Sequence, residues 1–196
     1  MPNVRPLNWF LEIYRSLDPI EIASRCNLPF DGDAFSLRIM GTEYRVPFPD
    51  YSLIDLNGAE NQKAFEKILF IRYLCEGRYA VSTGKQLSYR EIPWGDLYFP
   101  NFEAHSIKRL ASKYGGNLED FRKRMENPGL RALKLDKGDA GYRFEFMSGL
   151  YMSFLLWASD DEFPASAQIL FDDNFPYAFT AEDIAVVGDV AISRLG

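Results

Sequence analysis

Histidine is almost absent from this 196-residue chain, with His105 alone, and cysteine occurs only as Cys26 and Cys75. One histidine cannot build a multi-histidine metal site within a single chain. The two cysteines form no CxxC pair, so neither a zinc knuckle nor an iron–sulfur cluster is encoded within the chain. They read as two thiols in a reducing compartment, which points to the cytoplasm. Long apolar runs are missing as well. No stretch of about 18 apolar residues occurs, so no membrane contact is expected. The apolar start is interrupted by Arg5, Glu12 and Arg15 and reads as an amphipathic helix rather than a secretory leader.

Basic charge is also in short supply. The net charge is −6, which excludes general nucleic-acid binding. The imbalance is local: from Trp157 onward eight acidic residues face only Arg194, a net of −7, while the preceding 156 residues hold 20 acidic and 21 basic side chains. What is plentiful is aromatic: 16 Phe, 11 Tyr and 3 Trp, enough for a ring-rich core without disulfide or metal support. The length suits one domain, 1–196.

Periodicity predicts a helix over Leu7–Leu17 and a second, capped by Asp18 with Pro19 at its first position, to about Arg25. Phe35–Met40 and Tyr44–Phe48 read as strands of a hairpin turning at Gly41-Thr42. Asn61–Cys75 reads as a helix with Ala64, Phe65, Ile68, Leu69, Arg72 and Cys75 facing inward, ended by Gly77. Tyr79–Phe99, broken by Gly84, Pro93 and Gly95, reads mostly as loop. Helices follow at Phe102–Tyr114 and from an Asn117 cap to Glu126. Arg131–Asp136, Tyr142–Met147, Leu150–Trp157 and Gln168–Phe171 read as strands, with a Ser148-Gly149 turn. A last helix opens on Thr180, with Asp183 at capping-box spacing. The fold class is therefore α+β, a mainly antiparallel sheet from the C-terminal half packed by helices.

The segment from Trp157 onward, with Asp160 to Pro164, then Ile169 to Asp172, then Glu182-Asp183, resembles an uncharacterised bacterial and archaeal family, domain of unknown function 3786. Tyr89 to Gly95, Asn101-Phe102 and Lys108-Arg109-Leu110 are also similar to it. The resemblance runs from about Glu60 onward, leaving residues 1–59 as N-terminal helices and hairpin. Some members look fused to a four-cysteine iron–sulfur module of the kind seen in corrinoid and one-carbon proteins. Any redox role implied here needs a partner chain, because this chain has no such cysteines.

Two constellations suggest a site. The carboxylates Asp160, Asp161 and Glu162, then Asp172-Asp173, then Glu182-Asp183, follow strand ends or open a helix. If they converge, Asp161, Glu162, Asp172 and Glu182 are the oxygen set for a hard cation and a metal-dependent hydrolase or transferase. Each also has a plain reading: helix first-turn charge, turn chemistry, or pairing with the basic strip from Lys108 to Lys137. The second constellation is the Pro93-Trp94-Gly95 turn with Tyr89, Tyr98 and Phe99, able either to line an apolar pocket or to complete the core. Trp157 is placed to join it.

Ser82 to Lys85 lacks the spacing of a phosphate loop, and His105 lies with Lys108, Arg109 and Ser112 on a polar helix side. No catalytic residue is assigned. The favoured reading is a non-catalytic accessory domain binding a small-molecule ligand or a protein partner, linked to iron–sulfur or corrinoid metabolism. Its candidate ligand residues are Trp94, Trp157, Asp160, Asp161 and Glu162.

Overall fold

A computed structural model describes residues 7–196. Arg5, which enters the reading of the N-terminal stretch, lies outside the described residues. The element order opens with helices α1 (Leu7–Ser16) and α2 (Pro19–Cys26), then strands β1 (Ala34–Ile39), β2 (Thr42–Pro47) and β3 (Ile54–Asp55). Next come α3 (Ala64–Glu76), β4 (Gln86–Ser88), α4 (Gly95–Phe102), α5 (Lys108–Tyr114) and α6 (Leu118–Met125). The chain closes with β5 (Leu133–Leu135), β6 (Ala140–Met147), β7 (Leu150–Trp157), β8 (Ser166–Asp172), α7 (Phe175–Ala178) and α8 (Ala181–Arg194).

The fold is α+β. The eight strands form one antiparallel sheet in the order β3-β2-β1-β6-β7-β8-β4, with β5 alongside β6. The long strands β6, β7 and β8 lie side by side at its heart. Tyr142, Phe144, Phe146, Met152, Phe154, Leu156, Ile169 and Phe171 share the face buried against the helices. Arg143, Glu145 and Tyr151 alternate onto the other face, which is only partly covered. The N-terminal hairpin extends this sheet, joining β6 through Ile39 opposite Met147. One continuous apolar core links the hairpin, the central strands and the helices.

Capping chemistry works where the sequence places it. Asp18 accepts the Ile20 N–H at 2.8 Å, Asn117 accepts that of Asp120 at 3.1 Å, and Thr180 and Asp183 form a capping box.

Two expectations need correcting. Tyr79–Phe99 is not mostly loop: it contains β4, a 3₁₀ turn over Tyr89–Glu91 and the start of α4. Gly95 and Pro100 look like breakers, but α4 runs through Pro100 into a π-helical turn, Glu103–Ile107, and on into α5. A π turn re-spaces the backbone hydrogen bonds, which suits a helix in which proline has removed a donor. That turn approaches α8 closely at Gly188, where a Cβ would lie 2.9 Å from the ring edge of Phe102 and from Ser106 Cβ.

The second correction concerns α3. Its buried residues include Glu66, Leu69, Phe70, Tyr73 and Leu74, while Phe65 is 72% exposed. Of the stripe read as inward, Leu69 is buried in the core and Cys75 packs against it, but Ala64 and Phe65 are exposed and Ile68 and Arg72 only half-buried, so its outer edge serves another surface. Among the described residues no helix is long and apolar enough to cross a membrane.

Candidate apolar cleft between α3, α4 and α8

Residues Ile92 to Gly95 form a turn in which the Gly95 N–H donates to the Ile92 carbonyl at 2.8 Å. Pro93 occupies the second position and Trp94 the third, at φ 66° and ψ 9°. These are the angles of a type II turn, whose third position ordinarily takes Gly or Asn because it requires positive φ. An aromatic side chain there carries backbone strain of about 1–3 kcal/mol. The ring gains no burial in return, since Trp94 is 80% exposed. The turn is held from beneath: Gly95 packs so tightly on the Tyr89 carbonyl that a Cβ would collide with it. Tyr89 in turn stacks on Phe102 with centroids 4.1 Å apart and donates its hydroxyl to the Ala181 carbonyl at 2.6 Å. A rigid base thus presents a strained, exposed tryptophan.

Trp94 stands on the rim of a cleft with two compartments that meet at Arg72 and Asp183. The first, about 300 Å³, lies between the Ile92–Trp94 turn and Tyr177 to Ala181. The second, about 500 Å³, is walled by Phe65, Ile68, Leu69, Tyr98 and Val186. The α3 stripe of Phe65, Ile68, Leu69 and Arg72 is therefore one wall of this cleft.

The polar floor is sparse. Arg72 Nε lies 3.1 Å from Asp183 Oδ1, yet this buried nitrogen makes no hydrogen bond. The Arg72 guanidinium also sits 5.5 Å from the centroid of the Phe10 ring. Burial pushes the Asp183 carboxyl above the usual aspartate range, against the opposing pull of Arg72 and of the Thr180 cap. A perturbed carboxyl in an apolar concavity is characteristic of binding sites.

The sequence-derived site residues divide between three places. Trp94 and Glu182 are at the cleft. Trp157, Asp160, Asp161 and Glu162 lie at the other end of the sheet, where Trp157 pairs with Ser166 at the start of the β7–β8 connection. There Asp160 accepts the Glu162 and Phe163 N–H groups at 2.9 and 2.7 Å, a turn that also holds its carboxyl below the usual range. Asp172 is wholly buried and takes the Arg143 guanidinium at 2.5 and 3.3 Å.

The convergence required by the metal reading of Asp161, Glu162, Asp172 and Glu182 is therefore not found. Among the described residues no group of three or more His, Cys, Asp or Glu side chains is placed to hold a metal ion. Opposite strand ends and a buried salt bridge separate the four. His105 is exposed on the π turn.

A family model described as "Domain of unknown function (DUF3786)" matches residues 18–194. The chain belongs to this family. The DUF3786 match opens well ahead of Glu60, so α2 and the β1–β2 hairpin fall within the family unit. Neither curated proteins nor solved structures gave a match. Within this DUF3786 chain, sequence reasoning missed Arg72, Asp183 and Tyr177 as cleft residues. One signal was present: an arginine at helical spacing from Phe65, Ile68 and Leu69 marks a face that a fully buried core would not tolerate.

Proposed function

We propose that this chain is a non-catalytic binding module whose site is the cleft between α3, α4 and α8. The ligand class is a mostly apolar small molecule with one acceptor group for Arg72. The observation that carries the reading is Trp94: a strained, exposed ring fixed at the mouth of the smaller compartment, which opens onto Arg72, whose buried Nε lacks a hydrogen bond. Strain of this kind is held in place by the surrounding structure and clusters at binding and active sites. Compartments of about 300 and 500 Å³ suit a small molecule better than a protein partner, for which a flatter and wider surface would be expected. A link to iron–sulfur or corrinoid metabolism rests on the family resemblance and would run through a partner chain. Cys26 is buried and Cys75 partly buried, and burial pushes the two thiols up to about 11 and about 12.

The test uses 8-anilinonaphthalene-1-sulfonate, an apolar ring system with one anionic group. Its fluorescence should rise on binding to the full chain and fall back in Phe65→Ser and Arg72→Met variants. Absence of binding, or binding unchanged in both variants, would overturn the reading. Competition by a peptide library but by no small molecule would move the site to a protein partner.

A further inference from the structure

At the other end of the α3–α8 pair lies a second concavity, of about 670 Å³ and opposite chemistry. It is bounded by the β1–β2 turn, the start of α3, α6 and the end of α8. Lys63, Lys123, Arg124 and Arg194 line it against a single carboxylate, Asp120. Behind its wall Glu66 takes the Arg194 Nη2 at 2.6 Å and lies 3.5 Å from the Lys63 ammonium. Asp120 holds Arg124 Nε at 2.8 Å. Four cations thus share two side-chain carboxylates, and a carboxylate at Gly196, which lies against Arg124, would still leave the cations ahead. This excess stands out in a chain of net charge −6.

The remaining polar side chains of the lining, Thr42, Asn127 and Ser193, can all donate. Lys123 is exposed and has no ion-pair partner among the described residues. Arg194 is only 10% exposed and its Nε makes no hydrogen bond. Asn127 spends its carbonyl on the Gly129 N–H at 2.9 Å, and Ser193 accepts from Arg109 at 3.0 Å. That leaves the Asn127 amide and the Ser193 hydroxyl free to donate.

We propose that this pocket is a binding site for a small polyanion with two or more clustered negative oxygens, the chemistry shared by phosphate esters and polycarboxylates. A recessed cluster of cations with few competing acceptors recognises such groups through charge-assisted hydrogen bonds. An extended nucleic acid would meet the acidic remainder of the surface, whereas a compact anion inside the pocket lies within a screening length of about 10 Å of four cations that outnumber the carboxylates beside them.

The experiment is isothermal titration of the full chain with pyrophosphate, ADP and citrate in turn. At least one should bind, more weakly in high salt. Lys123→Ala should weaken it about tenfold or more, and Lys63→Ala with Lys123→Ala should remove it. Both lysines are exposed, so a melting curve will confirm that these variants fold. Trp94→Gly should leave the affinity unchanged, which separates this site from the apolar cleft. Binding of pyrophosphate or ADP identifies a phosphate-bearing ligand, and of citrate alone a polycarboxylate. No heat with any of the three at millimolar concentration, or an affinity indifferent to Lys123→Ala, overturns the proposal. Capture of an RNA oligonucleotide that pyrophosphate cannot displace would overturn it too.

Discussion

Glu66, near the start of α3, and Arg194, at the end of α8, form an ion pair at 2.6 Å with both side chains almost out of water. Tyr44 adds its hydroxyl to the same guanidinium at 3.1 Å and Asn61 donates to the carboxylate at 2.5 Å. At the opposite end of the two helices Arg72 faces Asp183. Two salt bridges of reversed polarity thus hold α3 and α8 antiparallel, one beneath each proposed site.

Glu66→Gln should be strongly destabilising. Burial pushes the Glu66 carboxyl up, but Arg194, Asn61 and Lys63 together hold it below the usual glutamate range. Removing its charge leaves Arg194 buried without a counter-ion, a loss of about 3–5 kcal/mol. At about 2–4 °C per kcal/mol for a chain of this size, the melting midpoint should fall by roughly 6 °C or more. A fall of less than about 2 °C would show that water or Tyr44 compensates.

Trp94→Gly should separate stability from binding. Glycine meets no penalty at positive φ, so the variant should melt at or above the temperature of the native chain, by an equivalent of up to about 1 kcal/mol. It should also lose the fluorescent probe from the cleft. A variant that melts lower would mean that the ring contributes to the fold itself, against the reading of Trp94 as a binding residue.

Asp173 should give stability a dependence on acid. Hydrogen bonds from Thr83 and Ser82 hold its carboxyl below the usual aspartate range, the Ser82 hydroxyl at 2.8 Å. A depressed folded value means that the stabilisation is complete above about pH 4 and is lost as pH falls through that value. Asp173→Asn should therefore melt lower than the native chain at pH 7, with the gap closing on acidification. Melts across this range decide it; a gap that widens in acid contradicts the assignment.

The alternation of Tyr142, Phe144 and Phe146 and the Thr180–Asp183 capping box were legible because each depends on neighbours in sequence. The α4 helix was not, since Gly95 and Pro100 carry breaker signals that only the π turn beyond them and the packing on α8 override. Ser88 to Glu91 did hold a capping-box signature, which gives the 3₁₀ turn a local cause that the loop reading passed over. Trp94 stands at the rim of the cleft, whereas Asp160 to Glu162, expected beside it, do not. Their distance from it follows from strand direction: β7 and β8 carry Trp157 and the acidic turn to one end of the sheet, and β8 returns the chain to the other. The basic pocket gathers residues from four separate stretches of chain, and no local pattern announces such a meeting.

Ile39 opposite Met147 ties the N-terminal hairpin to the central strands across more than a hundred residues of chain. During synthesis the hairpin is made early and then waits, its inner edge open, until β6 has emerged. β8 and α8, which close the sheet and cover its buried face, come later still. Little of this domain is therefore protected until its last fifth has been made, and nascent chains halted before α8 should be captured by chaperones or degraded.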